Sequence, residues 1–399
     1  MAKSLYITYD GLLEPLGQSQ VWQYLRRLSA KHEIVLLSFE KRKDFEDKRR
    51  MLAMRAECSR FGIHWIPRVY HRKPSALATS YDIVAGVIVG LWAVRRYRID
   101  LVHARSYVSS VMALVLKKLT GVRFIFDMRG FWADERVDGL WPKDGLLFRI
   151  AKRFERWFLL HADIVVSLTE VAVAEMKQFD YLRGIPVRFE VVPTCADLSM
   201  FVPRQSERRG DAPFTLGYVG SVSVWHLFDE VVQAFKALRE LEPNSRLLVV
   251  NRGGHGLVRA ALERAGIDVA NVELVEADHS EVPKLIQRMD AAAFFIKPSY
   301  SKIGSAPTKF AEMLGVGIPV LTNGGVGDME ALVINHGEPV GVIVKDFSMN
   351  SQRVAVAALL RLVEESGICA RCRTLAERYF SADLGSERYS LMYTDLEAR

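Results

Sequence analysis

The feature that most constrains this chain is an alternation. Short β-branched apolar runs take turns with longer stretches of helical periodicity, and the whole pattern occurs twice. In the first half Leu5–Tyr9, Ile34–Ser38, Leu101–His103, Phe124–Asp127, Ile164–Ser167 and Phe189–Pro193 have strand composition. Between them Gln18–Lys31, Val108–Leu119 and Phe148–Leu160 place apolar residues on one helical face. Strands that alternate with helices build a mostly parallel sheet covered on both sides.

The alternation breaks at Pro203–Pro213, a polar, Arg-rich stretch with the composition of a linker. It then restarts. Leu216–Val219, Arg246–Val250, Val272–Val275, Ala291–Ile296, Pro319–Leu321 and Gly341–Val344 read as strands. Phe228–Leu241, Leu257–Ala265, Val282–Arg288, Thr308–Leu314 and Gln352–Glu365 read as helices. At 399 residues the chain suits two such domains. The expected fold is α/β, two doubly wound Rossmann-like domains facing a central cleft. Ligands of open parallel sheets lie outside the carboxyl ends of the strands. Chemistry is therefore expected in the loops that follow strands, in both halves.

Those loops hold polar residues where such a site needs them. After the first strand, Gly17 precedes a helix whose N-terminus favours an anion; the alternative is a plain strand-to-helix turn. Leu101–His103 leads into His103 and Arg105, a candidate acid or base and a candidate phosphate partner. Phe124–Asp127 runs into Asp127-Met-Arg129-Gly-Phe131-Trp132. Asp127 and Arg129, two apart on an extended end, face one way and suit hydroxyl or phosphate binding, or else brace the loop as an ion pair. In the second half Gly220-Ser221 is a strand-end turn that admits a phosphate, with Trp225 and His226 close by, and Arg252 follows the next strand as an anion ligand.

The densest stretch runs from Lys297 to Pro319. A strand ends at Ile296, a loop carries Lys302 and Gly304, and Ser305 is expected to cap a helix with Pro307 in its first turn. Free N–H groups at that helix start, with Thr308 and Lys309, make a phosphate cradle. Glu312 follows about one turn later, where a carboxylate can take both hydroxyls of a ribose.

Charge and cysteines narrow the setting. Residues 1–200 hold 32 Lys+Arg against 22 Asp+Glu, whereas residues 201–399 hold 22 against 25. A basic first half suits an anionic partner such as phospholipid headgroups or a lipid-phosphate acceptor, or else is a solvated basic surface. The basic residues are scattered rather than grouped into a recognised module, which speaks against nucleic acid. Four cysteines in 399 residues fit a reducing compartment. Cys369-Ala-Arg-Cys372 lacks a second ligand pair for zinc and lies in a helical stretch, so its spacing reads as incidental. The first residues enter a strand directly with no charged leader and apolar stretch. The longest apolar run, Ile83–Val94, is shorter than the about 20 residues that cross a bilayer. It is expected to pack on a sheet, with a dip into a membrane surface as the alternative. The expected location is cytoplasmic, with peripheral contact at the inner face of an anionic membrane.

The order of these features resembles glycosyltransferase family 4, enzymes of the GT-B fold that usually retain anomeric configuration. His161-Ala-Asp163-Ile-Val-Val-Ser167, Val191-Val-Pro193 through Phe201-Val-Pro203, Tyr218-Val-Gly220, Pro298-Ser299 and Glu312-Met-Leu-Gly-Val-Gly317-Ile-Pro319-Val are similar to that family's signatures in order and spacing. Phe380–Tyr393 is similar to its C-terminal crossing helix. Three positions depart from the pattern. Ser221 stands where the family commonly has a diphosphate-binding Arg, and no Lys-Gly follows. Gly304 stands in place of the first of two paired Glu. Asp127 and Arg129 occupy the region where a His is often found.

The resemblance implies an acceptor domain over 1–203, a nucleotide-sugar donor domain over 204–380 and a crossing helix over 381–399. It implies transfer of a glycosyl group from a nucleoside diphosphate sugar to a hydroxyl, without a metal or other cofactor, in surface polysaccharide or glycolipid assembly with a lipid-linked or glycan acceptor. The candidate catalytic group, read from the strand-end loops, is Asp127, Arg129 and His103. The implied donor group is Gly17, Gly220, Ser221, Arg252, Lys302, Ser305, Thr308, Lys309 and Glu312. Two further readings stay open at this level: an epimerase acting on a UDP-sugar, and a non-catalytic sugar-nucleotide-binding subunit.

Overall fold

The computed structural model describes all residues except 74, 140, 144, 205–211 and 399. Most of the expected linker therefore lies outside the described residues. The chain forms two compact units, one of Met1–Pro193 with Ala382–Arg399 and one of Thr194–Ser381.

The first unit is built on a seven-stranded parallel sheet. Its strands are β1 (Lys3–Thr8), β2 (Glu33–Lys41), β3 (His64–Tyr70), β4 (Leu101–Arg105), β5 (Arg123–Asp127), β6 (Ile164–Ser167) and β7 (Phe189–Val191). Their spatial order is β3-β2-β1-β4-β5-β6-β7. Every residue of β4 is buried, as a strand covered on both faces requires. Strand β3 was not expected. It contains Pro67 and sits at the sheet edge, where a residue without an N–H is tolerated.

The apolar run at 83–94 belongs to a longer helix, Ser75–Tyr97. Its small residues Gly86 and Gly90 pack onto Met112 and Leu116 of the helix Ser106–Thr120. The expected packing is present, but it uses only one face. The C-terminal helix Ala382–Glu397 packs on Gln23–Leu28, with Arg27 Nε 2.5 Å from Asp383 Oδ1.

The second unit has a six-stranded parallel sheet. It comprises β8 (Thr215–Val219), β9 (Arg246–Val250), β10 (Val272–Val275), β11 (Ala291–Ala293), β12 (Val320–Asn323) and β13 (Gly341–Val344), in the order β10-β9-β8-β11-β12-β13. The unit begins at Thr194, ten residues before the expected boundary. Hydrogen bonding explains the shift. The Ala196 N–H donates to the Phe380 carbonyl at 2.8 Å. Arg373 donates to the carbonyls of Leu198, Phe201 and Gly315 at 3.2, 2.6 and 2.8 Å. One guanidinium thus ties 198–201 to the end of the helix Thr308–Val316.

Both sheets reverse direction beside their first strand, between β1 and β4 and between β8 and β11. Crevices at such reversals are where this architecture binds ligands.

Candidate functional site

In the second unit the reversal point collects the residues singled out after β8 and β11. Gly220 ends β8 at φ +130°, a conformation that side chains rarely adopt. Asn251, at the end of β9, donates from Nδ2 to the Gly220 carbonyl at 2.8 Å and accepts from the Gly254 N–H at 2.7 Å. That one side chain holds two strand-end loops in place.

Lys309 is the central cation. It lies in the first turn of the helix Thr308–Val316, and its Nζ comes so near Gly220 that a Cβ there would lie 2.8 Å away. The ammonium sits 4.9 Å from the ring centre of Tyr218 and 5.7 Å from that of Phe294. The Nζ is buried and has no hydrogen-bond partner among the described residues. Burial pushes its pKa down to about 8, partly offset by the charge of Glu312. A buried cation without a partner is costly, and such groups gather at sites where a ligand completes them.

Glu312, one turn further along the helix, is buried and pairs with His279, whose Nε2 lies 3.4 Å from its Oε1. The hydrogen bond that the His279 ring donates to Glu312 raises the His279 pKa against the opposing effect of burial. Sequence reasoning missed His279. Its only signal was a His in the loop after β10.

Ser221 and Ser223 approach the His226 Nδ1 with their Oγ atoms at 3.3 and 3.0 Å. Burial, reinforced by Lys309 and Lys302, pushes His226 down to about 4, so its ring is neutral at pH 7. Lys302 stacks over Trp225 with its Nζ 4.7 Å from the ring centre.

One expectation changes here. Ser305 does not cap the helix. Pro307 occupies the cap position and Thr308 is the first helical residue. A proline disfavours helical geometry in the residue before it, so the helix begins after Pro307. Arg252 is exposed and lies 3.6 Å from Asp278, next in sequence to His279. The C-x-x-C cysteines are free thiols in the helix Ile368–Tyr379, with Cys372 buried.

The first unit brings His103, Asp127 and Arg129 together as a buried network. The His103 Nε2 lies 3.5 Å from Asp127 Oδ2, and its Nδ1 lies 2.8 Å from the Tyr393 hydroxyl. Tyr389, on the C-terminal helix, donates to Asp127 at 3.1 Å. Arg129 lies 3.9 Å from Asp127 and also donates to Gln20. Burial raises the Asp127 pKa, but Arg129, His103 and Arg105 outweigh it and hold the carboxyl below its usual range. Burial also lowers His103. His103 and Asp127 are 0% and 2% exposed, so both are enclosed rather than solvent-facing.

Gln20 was not anticipated. It lies in a π-helical turn, Gln18–Trp22, an irregularity common at functional sites. Arg129 itself has φ +59°, uncommon for a residue with a side chain. Arg105 pairs with Asp10 in the loop after β1. Gly17 makes its close approach to the protein's own backbone. A Cβ there would lie 2.0 Å from the Gly11 carbonyl oxygen. Glu40, unnoticed in the sequence, accepts from the N–H groups of Leu12 and Leu13 at 2.8 and 3.1 Å and fixes the same loop.

Residues 17–195 match the family model described as a glycosyl transferase 4-like domain. Over that segment, which is most of the first unit, the chain is similar to GT4-type glycosyltransferases. Its fold is the two-domain GT-B fold. Sucrose-phosphate synthase from Thermosynechococcus elongatus superposes with a TM-score of 0.70 at 14% identity, covering 100% of both chains. A glycosyltransferase from Rickettsia africae superposes with a TM-score of 0.69 at 13% identity, covering 99% of this chain and 98% of that one. The HepE protein of Anabaena, solved with UDP and glucose, gives 0.65 at 13% identity, covering 99% and 100%. No curated protein matches the sequence significantly.

Proposed function

We propose that this glycosyltransferase takes its sugar from a nucleoside diphosphate sugar bound by the second unit. The unpartnered Lys309 Nζ beside the Gly220 turn carries this reading. A diphosphate there receives the ammonium of Lys309 at the positive, N-terminal end of the helix Thr308–Val316. Lys309 thereby does work that the resembled family assigns to an Arg, absent here at Ser221. Glu312, oriented by His279, takes the ribose hydroxyls. The neutral His226 and the small Ser221 border the same space. HepE of Anabaena, similar in fold, has been solved with UDP-glucose, which supports a uridine nucleotide as the first donor to try.

Transfer runs to a hydroxyl of a glycan or lipid-linked acceptor at the cytoplasmic side of a membrane, in surface polysaccharide or glycolipid assembly. The acceptor oxygen bonds to the anomeric carbon while the bond from that carbon to the donor phosphate breaks. The nucleoside diphosphate leaves with the electron pair, and its phosphate oxygen takes the acceptor proton. This route retains the anomeric configuration. The protein contributes positioning and cationic stabilisation of the leaving group through Lys309 and the helix dipole. Asp127, His103 and Arg129 shape the carboxyl end of the first sheet.

A thermal-shift screen of nucleotide sugars tests the donor assignment, followed by NMR of the product anomer from the best donor. A stabilising donor that Lys309→Ala no longer recognises is expected. Donor epimerised in the absence of an acceptor would favour an epimerase instead. Binding without turnover across membrane extracts would favour a non-catalytic subunit.

A further inference from the structure

The helix Ser75–Tyr97 carries an apolar face that its own unit leaves uncovered. Leu77, Tyr81, Val84, Ile88 and Trp92 recur at helical spacing and are 51–72% exposed. The opposite face, with Ala78, Gly86, Gly90 and Ala93, is buried. Among the described residues it is the one helix long and apolar enough to cross a bilayer, yet only 33% of its most apolar stretch is buried. A core helix of this composition would be mostly enclosed.

Its charges are arranged in a consistent way. The helix has a single acidic residue, Asp82, which is buried and held by Tyr9 and His71. Arg72 and Lys73 precede it and Arg95, Arg96 and Arg98 lie at and beyond its end, all exposed. A recess of about 270 Å³ opens beside its early turns, lined by Arg42, Arg68, His71 and Tyr81 among others. A third feature extends the surface. Ser106–Thr120 packs between Ser75–Tyr97 and the helix Leu146–His161, which exposes Leu146, Leu147 and Ile150 beside Arg149 and Arg153.

We propose that Ser75–Tyr97 is an in-plane anchor that docks the first unit on an anionic bilayer. The apolar face enters the headgroup–acyl boundary, the flanking Arg and Lys meet lipid phosphates, and the Arg42–Arg68 recess takes one headgroup. The tight packing of Gly86 and Gly90 against Met112 and Leu116 keeps the helix on its unit rather than across the membrane. Apolar area combined with cationic flanks is the composition that binds such interfaces. The inference stands apart from the donor reading, since it involves none of the donor residues.

Vesicle flotation of the full chain tests it, with phosphatidylcholine alone and with a phosphatidylcholine–phosphatidylglycerol mixture. Binding to the anionic vesicles is expected at low salt, weakening as salt rises. The double variant Val84→Gln/Ile88→Gln alters exposed positions and is expected to fold normally while losing about tenfold or more in vesicle binding. Arg42→Ala/Arg68→Ala is expected to reduce the preference for the anionic mixture. Donor-induced thermal shifts should be equal in wild type and the glutamine variant, which separates this test from that of the donor site. Absence of wild-type binding would overturn the proposal, as would undiminished binding by the glutamine variant. A wild-type dimer that this variant dissociates, with vesicle binding unchanged, would assign the face to a second copy instead.

Discussion

The Nζ of Lys309 lies 2.8 Å from the point where a side chain on Gly220 would begin. The ammonium has no hydrogen-bond partner among the described residues, and aromatic rings surround it. Function and stability are therefore opposed at this position.

Replacing Lys309 by Met removes a buried charge that Glu312 offsets only in part, and keeps the volume. Folding stability is expected to rise by about 1–3 kcal/mol, while nucleotide-sugar affinity falls at least tenfold. Denaturant unfolding and titration calorimetry check the two halves. A variant that loses stability and keeps affinity would remove Lys309 from the donor site.

The same lysine sets a pH dependence. Its pKa is lowered to about 8 by burial, so the cation that meets a diphosphate is lost as pH rises through that value. Affinity for an intact nucleotide sugar is expected to be flat below pH 7 and to fall above about 8. The linkage with folding has the opposite sign. The folded form holds this proton less tightly than the unfolded form, so the Lys309 contribution to stability improves with pH between about 8 and the ordinary lysine value.

Gly220→Ala places a Cβ against the Lys309 Nζ on a backbone at φ +130°. The backbone strain alone is expected to cost about 1–3 kcal/mol, and the displaced ammonium should weaken donor binding as well. Thermal unfolding with and without the nucleotide sugar measures both effects.

Glu312→Gln keeps the shape of the side chain and removes its charge. Weaker donor binding is expected, together with a return of His279 toward the ordinary histidine value, because the hydrogen bond to Glu312 is what raises it. An NMR titration of the His279 ring follows the second effect. In the wild type the His279 contribution to stability is complete below its unfolded pKa and disappears as pH rises through the higher folded value.

In the first unit, Asp127→Asn leaves the Arg129 guanidinium buried without its counter-charge. A loss of about 3–5 kcal/mol is expected in denaturant unfolding. With Asp127 present, its stabilising contribution exists above the ordinary carboxylate pKa and is lost as pH falls through the depressed folded value.

The pattern of apolar runs was enough to read two parallel sheets, because strands covered on both faces must be apolar throughout. The place of Gly220 just after a strand, and of Lys309 and Glu312 in a helix, was legible too, since helix starts and glycines mark the turns. The edge strand β3 was not legible: Pro67 and polar neighbours mask it, and an edge tolerates both. Nor was the boundary at Thr194, which depends on Arg373 reaching carbonyls more than 50 residues away in sequence.

The sequence by itself determined the doubly wound architecture and the segments that carry chemistry, because periodicity and turn residues are local properties. Only the tertiary structure decided which side chains meet. It gave Glu312 its partner His279, left the Lys309 Nζ buried beside Gly220 without a hydrogen-bond partner among the described residues, and enclosed His103 and Asp127 beside Tyr389 and Tyr393. It also showed that Ser75–Tyr97 hides its small face and exposes its large one. Burial and pairing arise between residues distant in the chain, and a local pattern does not encode them.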